Sequence, residues 1–252
     1  MHRFYLPPDQ CQDASLFLTG REAHHALRVV RLRRGQRVTV LDGAGHEFLC
    51  DVQEFDRDKV RLSVAEKHSL PPPPCRLTLA QALPKGKIMD AIVQKATELG
   101  AIRVVPVLSE RVVAQLDPNE AAHRAQKWQL VAIEAIKQCG APWLPRIELP
   151  LTPAQFLARK ETFELPLLAS LQKDLRPARE YLRTFQAERG RLPQSVCVWV
   201  GPEGDFTPAE AQAIQSGGAL PISLGPLVLR TETAAVYCLS ILNYELQGLP
   251  AS

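Results

Sequence analysis

The stretch Val196-Cys-Val-Trp-Val-Gly-Pro-Glu-Gly-Asp-Phe-Thr-Pro-Ala-Glu210 decides the fold of most of this chain. Its first five residues are apolar, which predicts a buried strand of a parallel sheet. A Gly-rich loop follows at residues 201–204, and the pattern Thr207-Pro208-Ala209-Glu210 predicts a helix start with a capping box. Open α/β sheets bind ligands at such strand ends. The spacing fits a simple tight turn equally well, and it lacks the patterns of a dinucleotide fingerprint or a P-loop.

A second stretch, residues 222–235, has the same plan. A short apolar strand runs into Gly225-Pro226, and an apolar turn then leads to Arg230-Thr-Glu-Thr233 at the start of the last helix. Thr231 or Thr233 can cap that helix, and Glu232 in its first turn complements the helix dipole. Arg230 opposes the dipole, so it requires an acidic partner. Either a carboxylate of the protein or an anionic substrate satisfies this requirement.

Strands and helices alternate around these two stretches, which predicts an α/β domain with a parallel sheet. Predicted strands cover residues 77–83, 104–108, 165–169, 196–200 and 220–224. Predicted helices cover residues 87–99, with Gly100 as C-cap, 119–139, capped by Asn119 and ended by Gly140, and 232–246.

Four consecutive prolines, Pro71 to Pro74, mark a boundary, because they fit neither a helix nor a central strand. Before them, alternating strands at 37–41, 47–53 and 58–65 and one helical stretch at 22–31 predict a small β-barrel or sandwich. We therefore expect two domains, residues 1–72 and 75–252.

The composition is that of a folded globular protein: 252 residues, 46% hydrophobic and 23% charged. No stretch approaches the roughly 20 apolar residues of a membrane span, and the N-terminus lacks the apolar core of a signal peptide, so we expect a cytoplasmic protein without membrane contact. The six cysteines are scattered without metal-ligand spacing, which predicts buried thiols and no metal site.

Positive charge is concentrated between residues 21 and 37, although the net charge is only +3. This segment has six arginines, His24 and His25 against a single acid, Glu22. Such a cluster suits contacts with nucleic-acid phosphates, and it also fits a solvated protein face. Lys85, in the segment Leu83-Pro-Lys-Gly-Lys87, is a further candidate, although surface lysines commonly have no partner.

Three motifs in this order carry a resemblance: Lys-Gly-x-x-Met-Asp…Gln-Lys-Ala-Thr-Glu-Leu-Gly at 85–100, Gly-Pro-Glu-Gly at 201–204, and Leu-Gly-Pro-x-x-Leu-Arg-Thr-Glu-Thr-Ala at 224–234. The set, with Arg-x-x-His-His-x-x-x-Val-x-Arg-x-x-x-Gly at 21–35, resembles the bacterial 16S ribosomal RNA (uracil-N3)-methyltransferases of the SPOUT class. The resemblance covers nearly the whole chain. It implies a PUA-like N-terminal barrel, a C-terminal α/β SPOUT domain with a deep trefoil knot, and a homodimer.

The resemblance also implies the cofactor S-adenosylmethionine and a substrate uridine in 16S rRNA of the small ribosomal subunit. The two Gly-containing loops and the end of strand 165–169 would hold the cofactor, which gives the candidate contacts Ala169, Gly201, Pro202, Glu203, Gly204, Leu224, Gly225, Leu229, Thr231, Thr233 and Ala234. Asp205 departs from the family pattern, which usually has Gly there. If that residue needs a positive φ, Asp tolerates it better than most residues.

Arg230 is the expected catalytic residue, because a guanidinium beside the uracil carbonyls would stabilise the charge that develops when N3 loses its proton. Glu232 is a second candidate, although the sequence does not identify a general base and Glu232 fits a helix cap as well. The candidate RNA contacts are Arg21, His24, Arg28, Arg31, Arg34 and Lys85.

A non-catalytic RNA-binding or assembly protein on a degenerate scaffold is the alternative. Both loops keep their glycines, and Arg230 is present, so we favour the enzyme. The apolar last helix, with Val236, Leu239, Ile241 and Leu242, is a candidate dimer element, and those residues could equally be buried within one subunit.

Overall fold

A computed structural model describes residues 1–111, 116–172 and 175–246. The chain divides into two compact units. The first comprises residues 1–72 and 133–144, and the second comprises residues 73–132 and the described residues from 145 onward. Each unit has its own buried core.

The first unit is built on a five-stranded sheet that is curled into half a barrel. Its elements are β1 (His2–Tyr5), β2 (Ser15–Leu18), α1 (Gly20–His24), β3 (Arg37–Leu41), β4 (His46–Phe55) and β5 (Val60–Ser69). The strand order is β1-β3-β4-β5-β2, with β1 parallel to β3 and the other pairs antiparallel. Its inner face is fully buried at Phe4, Leu18, Val40 and Leu62.

The helical stretch predicted at 22–31 is real but irregular. After α1 the chain forms a π-helical turn, His25–Val30, and Arg31 then ends it in the left-handed conformation with φ 56°. Left-handed backbone is uncommon for a residue other than glycine, so this turn is strained.

The second unit is a six-stranded sheet in the order β11-β9-β10-β6-β7-β8, with every pair parallel. The strands are β6 (Arg76–Ala82), β7 (Ala101–Val107), β8 (Arg146–Ile147), β9 (Leu165–Ala169), β10 (Ser195–Val200) and β11 (Leu220–Ile222). The helices are α2 (Ile88–Glu98), α3 (Pro118–Cys139), α4 (Pro153–Ala158), α5 (Ala178–Arg189), α6 (Pro208–Ser216) and α7 (Thr231–Leu246). The last residues of α3, from 133, belong to the first unit. The predicted parallel α/β sheet is thus confirmed.

Two local predictions need correction, and one open alternative is decided. Asp117 rather than Asn119 serves the start of α3, because the Asp117 carboxylate accepts the N–H groups of Asn119 and Glu120 at 2.9 Å. Strand β11 ends at Ile222, two residues earlier than predicted, where the chain turns into a loop. In α7, Leu239 and Leu242 are each only 1% exposed, so of the two alternatives left open for the last helix, burial within one subunit holds for these two residues.

Burial and neighbouring charges shift the pKa values of several side chains. Burial raises the pKa of the thiols of Cys11, Cys50, Cys75 and Cys238 to about 12, which keeps them protonated at neutral pH. By contrast, the pKa of Glu164 is lowered to about 2, first by its hydrogen bonds from the Arg191 guanidinium and then by the backbone N–H of Gln194.

Among the described helices, none is long and apolar enough to cross a membrane.

Candidate active site

A cleft opens where three neighbouring parallel strands end. Strands β11, β9 and β10 lie side by side, and their carboxyl ends at Ile222, Ala169 and Val200 meet at one edge of the sheet. The cleft lies in the crevice where such sheets bind ligands. It is lined by Ala169, Ser170, Leu171, Gln172, Val200, Gly201, Pro202, Glu203, Asp205, Ser223, Leu224, Gly225, Pro226, Leu227, Val228, Leu229, Thr231 and Ala234.

The structure brings together most residues expected to hold the cofactor. Nine of the eleven candidates line this one cleft: Ala169, Gly201, Pro202, Glu203, Leu224, Gly225, Leu229, Thr231 and Ala234. Gly204 and Thr233 do not line it. Gly204 is exposed beside the cleft, where its carbonyl accepts a hydrogen bond from Arg111, and Thr233 is exposed on α7.

The loop after β10 requires glycine at its first position. A Cβ added at Gly201 would lie 2.7 Å from Asp205 Oδ1, which is closer than real Cβ contacts, and 3.1 Å from Asp205 Cα, which is tighter than most of them. The loop folds back because the Asp205 N–H donates to the Pro202 carbonyl at 2.9 Å and Asp205 Oδ1 accepts the Phe206 N–H at 2.8 Å. Asp205 has φ 61°, so Asp occupies a left-handed position here.

Helix α6 then begins as its sequence predicts. The Thr207 hydroxyl accepts the Glu210 N–H and the Glu210 carboxylate accepts the Thr207 N–H, which confirms the capping box. Glu210 is buried, and it also accepts the Ser109 hydroxyl and the Glu110 N–H at 2.9 Å. The loop after β7 is thereby attached to the base of the Gly201 loop.

The loop after β11 presents both apolar side chains and unused backbone donors to the cleft. Leu227 is 74% exposed and Val228 is 77% exposed, high values for side chains of this type. Within the part of the chain that the structure describes, the N–H groups of Leu227, Val228 and Leu229 donate no hydrogen bond to other protein groups. A ligand with a flat apolar face could contact these side chains, and acceptor atoms at its edge could bind these N–H groups.

Arg230 stands at the rim, between the lining residues Leu229 and Thr231. Its side chain is exposed, and no carboxylate of the described residues lies within 4.0 Å of its guanidinium. Of the two explanations for Arg230, the one that pairs it with a carboxylate of the protein is therefore not realised among the described residues. Glu203 instead accepts the Lys85 N–H at 3.0 Å, and Glu232 is half-buried on α7 and does not line the cleft.

Thr231, the first residue of α7, uses its side chain to connect the Gly201 loop to β6, and among the described residues no backbone N–H of the helix donates to its hydroxyl. Its hydroxyl donates to the Gly201 carbonyl at 2.6 Å and accepts the Gln81 side-chain N–H at 2.9 Å. Gln81 is fully buried in β6. Sequence reasoning missed Gln81, although a long amide within an apolar strand was a visible signal.

The candidate RNA contacts of the first unit form a second feature, which we name the arginine patch: Arg21, His24, Arg28, Arg31 and Arg34. All five side chains are exposed. The single acid of the segment, Glu22, is buried and binds the Lys137 ammonium at 2.8 Å, so it does not offset the exposed positive charge. Only Arg21 of the patch has an ion pair within the described chain, with Glu134 at 3.3 Å.

Comparison with known proteins assigns the chain to a family. Residues 71–243 match the RNA methyltransferase domain family, and residues 18–65 match the RNA methyltransferase PUA domain family. The chain is 32% identical to Ribosomal RNA small subunit methyltransferase E of Bacillus subtilis over 99% of this chain and 98% of that protein. It is 34% identical to the Synechocystis protein of the same name, over 98% and 78% of the two chains.

Solved structures agree with this assignment. A protein from Legionella pneumophila, solved with the cofactor SAM bound, has a TM-score of 0.87 and 30% identity, covering 98% of both chains. Ribosomal RNA small subunit methyltransferase E of Neisseria gonorrhoeae, bound to S-adenosyl methionine, has a TM-score of 0.82 and 25% identity, again over 98% of both chains. The parallel sheet and the N-terminal half-barrel described above agree with these comparisons, and the chain belongs to the ribosomal RNA small subunit methyltransferase E family.

Proposed function

We propose that this protein transfers a methyl group from S-adenosylmethionine to N3 of a uridine in 16S rRNA of the small ribosomal subunit. The observation that carries the proposal is the cleft at the ends of β9, β10 and β11, with Arg230 at its rim, whose guanidinium has no ion pair among the described residues. Two relatives of similar fold bind this cofactor, and the full-length relatives are named as small-subunit rRNA methyltransferases. Cytoplasmic location belongs to the proposal, because rRNA of bacteria such as these relatives is modified there.

The residues of the cleft fit the cofactor's chemistry. Adenine has two flat apolar faces and an edge of ring nitrogens, and the loop after β11 offers Leu227 and Val228 with three unused amide donors. Gly201 lines the cleft and has no side chain, so a ligand can approach its backbone closely. When bound there, S-adenosylmethionine supplies an electrophilic methyl group.

Arg230 has the electrostatic role in this proposal. Uracil N3 carries a proton between two carbonyls, and its loss spreads negative charge onto both oxygens. Because no carboxylate of the described residues lies within 4.0 Å of it, the Arg230 guanidinium can donate hydrogen bonds to one of these oxygens without first breaking an ion pair. We assign Arg230 to stabilising this charge, and removal of one such donor lowers turnover on the order of a hundredfold.

Two carboxylates are candidates for accepting the N3 proton. Glu232 was the candidate nearest in sequence, but it lies outside the cleft lining on a half-buried helix position. Glu203 does line the cleft and is held by the Lys85 N–H. We propose Glu232 as the acceptor and Glu203 as its alternative, and the substitutions Glu232→Gln and Glu203→Gln test them side by side.

RNA binding is proposed for the arginine patch and for Lys85. The patch has five exposed basic side chains, four of them without an ion pair among described residues. Phosphate contacts of this kind supply affinity and orientation, whereas base contacts supply the choice of nucleotide. Because N3 lies on the Watson–Crick edge, the target base must be unpaired or flipped out of a helix before it can react.

A homodimer is also part of the proposal. Helix α7 has an apolar stripe of Tyr237, Ile241 and Tyr244, in which Tyr237 is 42% exposed, Tyr244 is 81% exposed and Ile241 is half-buried. These residues recur at i, i+4 and i+7, which is one face of a helix. The occupant that we propose is the same helix of a second copy, because two-fold contacts of this kind are self-complementary. The deep trefoil knot implied by the resemblance stays a prediction.

The decisive experiment combines the purified protein with small subunits from a strain that lacks the corresponding gene. Mass mapping of the RNA locates the new methyl group, and nucleoside standards distinguish N3 from C5 or ribose methylation. Arg230→Ala and Arg230→Lys should fold, bind the cofactor normally and transfer methyl groups on the order of a hundredfold more slowly. Arg183→Ala, on α5, is the matched control and should be fully active. Normal turnover by Arg230→Ala would refute its role.

A further inference from the structure

Gln81 is an unusual residue for its place in the molecule. It lies in β6, near the centre of the parallel sheet, between Val200 of β10 and Pro106 of β7, and it is fully buried. The other residues of β6 from Leu77 to Ala82 are apolar except for Thr78. An amide side chain in such a place lowers stability unless all its polar atoms find partners.

Only half of the Gln81 amide is satisfied. Its nitrogen donates to the Ala82 carbonyl and to the Thr231 hydroxyl, both at 2.9 Å. Its oxygen, Oε1, is buried without a hydrogen-bond partner, and it is the one such side-chain atom found among the described residues. An apolar side chain of similar volume would therefore serve the core better than Gln81 does.

The Thr231 hydroxyl shows what Gln81 accomplishes. Because the Gln81 amide occupies a lone pair of Thr231 Oγ1, the hydroxyl hydrogen is left to point at the Gly201 carbonyl, which lies 2.6 Å away. This chain of two hydrogen bonds connects β6, the first residue of α7 and the first residue of the Gly201 loop. Thr231 and Gly201 both line the cleft, and Arg230 directly precedes Thr231.

We propose that Gln81 is a positioning residue, which orients the Thr231 hydroxyl and so holds the Gly201 loop and the start of α7 in the arrangement that binds the cofactor. The inference rests on the proposed function, because it takes S-adenosylmethionine as the ligand of the cleft. Gln81 does not line the cleft and acts only through Thr231. This role explains why an amide occupies the position although its oxygen has no hydrogen-bond partner among the described residues.

The test replaces Gln81 with apolar residues of similar size, Gln81→Met and Gln81→Leu. In the cofactor-free protein we expect an unchanged or higher melting temperature, because the unpaired oxygen is removed. We expect faster amide hydrogen exchange at residues 201–205, where the loop is no longer held. Titration calorimetry should give a two- to tenfold weaker affinity for S-adenosylmethionine, the range that corresponds to one hydrogen bond.

A double-mutant cycle locates the effect. Thr231→Val should weaken cofactor binding as Gln81→Met does, and the double variant should be no worse than Thr231→Val alone, because the two residues act in series. Thr97→Val is the matched control: it removes a buried hydroxyl that donates to the Val93 carbonyl at 2.8 Å in α2. This control should leave exchange of residues 201–205 and cofactor affinity unchanged.

The outcomes are separable. Additive effects of Gln81→Met and Thr231→Val, unchanged exchange at residues 201–205, or unfolding of both apolar variants would each overturn the inference. Wild-type protein that binds no S-adenosylmethionine would instead contradict the proposed function. In that case the exchange measurement on the cofactor-free protein still decides whether Gln81 holds the Gly201 loop.

Discussion

Replacing Gly201 with alanine tests how closely the cofactor loop is packed. The new methyl group would meet Asp205 Oδ1 at 2.7 Å, Asp205 Cα at 3.1 Å and Phe206 N at 3.1 Å. The carboxylate must move away, which breaks its 2.8 Å hydrogen bond from the Phe206 N–H, and the backbone contacts require a further small shift. Overpacking of this kind costs about 1–3 kcal/mol, and we take about 2 kcal/mol for this site. In a chain of this length that lowers Tm by roughly 4–8 °C.

A second substitution isolates the cause. Asp205→Gly removes the carboxylate and relieves the left-handed backbone at φ 61°, while it loses the hydrogen bond to Phe206, so we expect it to be nearly neutral alone. In the Asp205→Gly background, Gly201→Ala keeps only the contact with the Phe206 nitrogen and with the backbone of residue 205. Its effect should fall to about 1 kcal/mol, roughly half of that in the wild type.

Both effects are measured by urea unfolding, together with calorimetric titration of S-adenosylmethionine. Gly201→Ala should also weaken cofactor binding, since the displaced loop lines the cleft. The reasoning is refuted if Gly201→Ala is as stable as the wild type. It is equally refuted if the loss of stability is the same with Asp or Gly at position 205.

Three further predictions concern other parts of the chain. Replacing Arg28, Arg31 and Arg34 with alanine should reduce the slope of log K against log salt concentration for RNA binding by about 2–3, because each lost phosphate contact contributes about 0.7–0.9. The affinity for the cofactor should not change. An unaltered slope, measured by filter binding, would favour a solvated face without RNA contacts. In the folded protein at pH 8, iodoacetamide should label the exposed Cys139 first, with the buried thiols reacting only on unfolding, and peptide mass spectrometry that finds equal labelling would contradict their burial. The pKa of Glu164 is lowered to about 2 in the folded state, so its ion pair stabilises the protein above the unfolded pKa of about 4.3, and this stabilisation is lost as the pH falls toward 2. The difference in Tm between the wild type and Glu164→Gln should therefore shrink as the pH is lowered through that range. A difference that stays constant would show that the ionised carboxylate is not its cause.

Much of the local structure could be predicted from the sequence, because neighbouring residues determine it. The apolar run before Gly201 forms β10, and the Thr207 to Glu210 pattern forms its capping box. Strand β9 has the predicted bounds. At the start of α3 the predicted cap, Asn119, is wrong, because the carboxylate of Asp117, two residues earlier, accepts two N–H groups of the first turn.

Long-range arrangement could not be predicted in the same way. Nothing in periodicity indicates that β10 lies between β9 and β6, or that β1 pairs in parallel with β3. For the same reason the partner of Thr231 was missed: Gln81 is 150 positions away in the chain. Leu239 and Ile241 are both apolar residues of the last helix, and the sequence pattern does not distinguish them. The packing of the helix shows that Leu239 is buried and Ile241 is half-buried.

The sheet order has a consequence for the time course of synthesis. Strand β10 occupies the place between β9 and β6, although it follows β6 by roughly 120 residues, which takes about 6–24 s at 5–20 residues per second. During that interval one edge of β6 has no partner strand, and such an edge is a template for pairing with other chains. A nascent chain stalled between residues 110 and 190 should therefore be a preferred client of ribosome-associated chaperones, and one that has passed residue 246 should not.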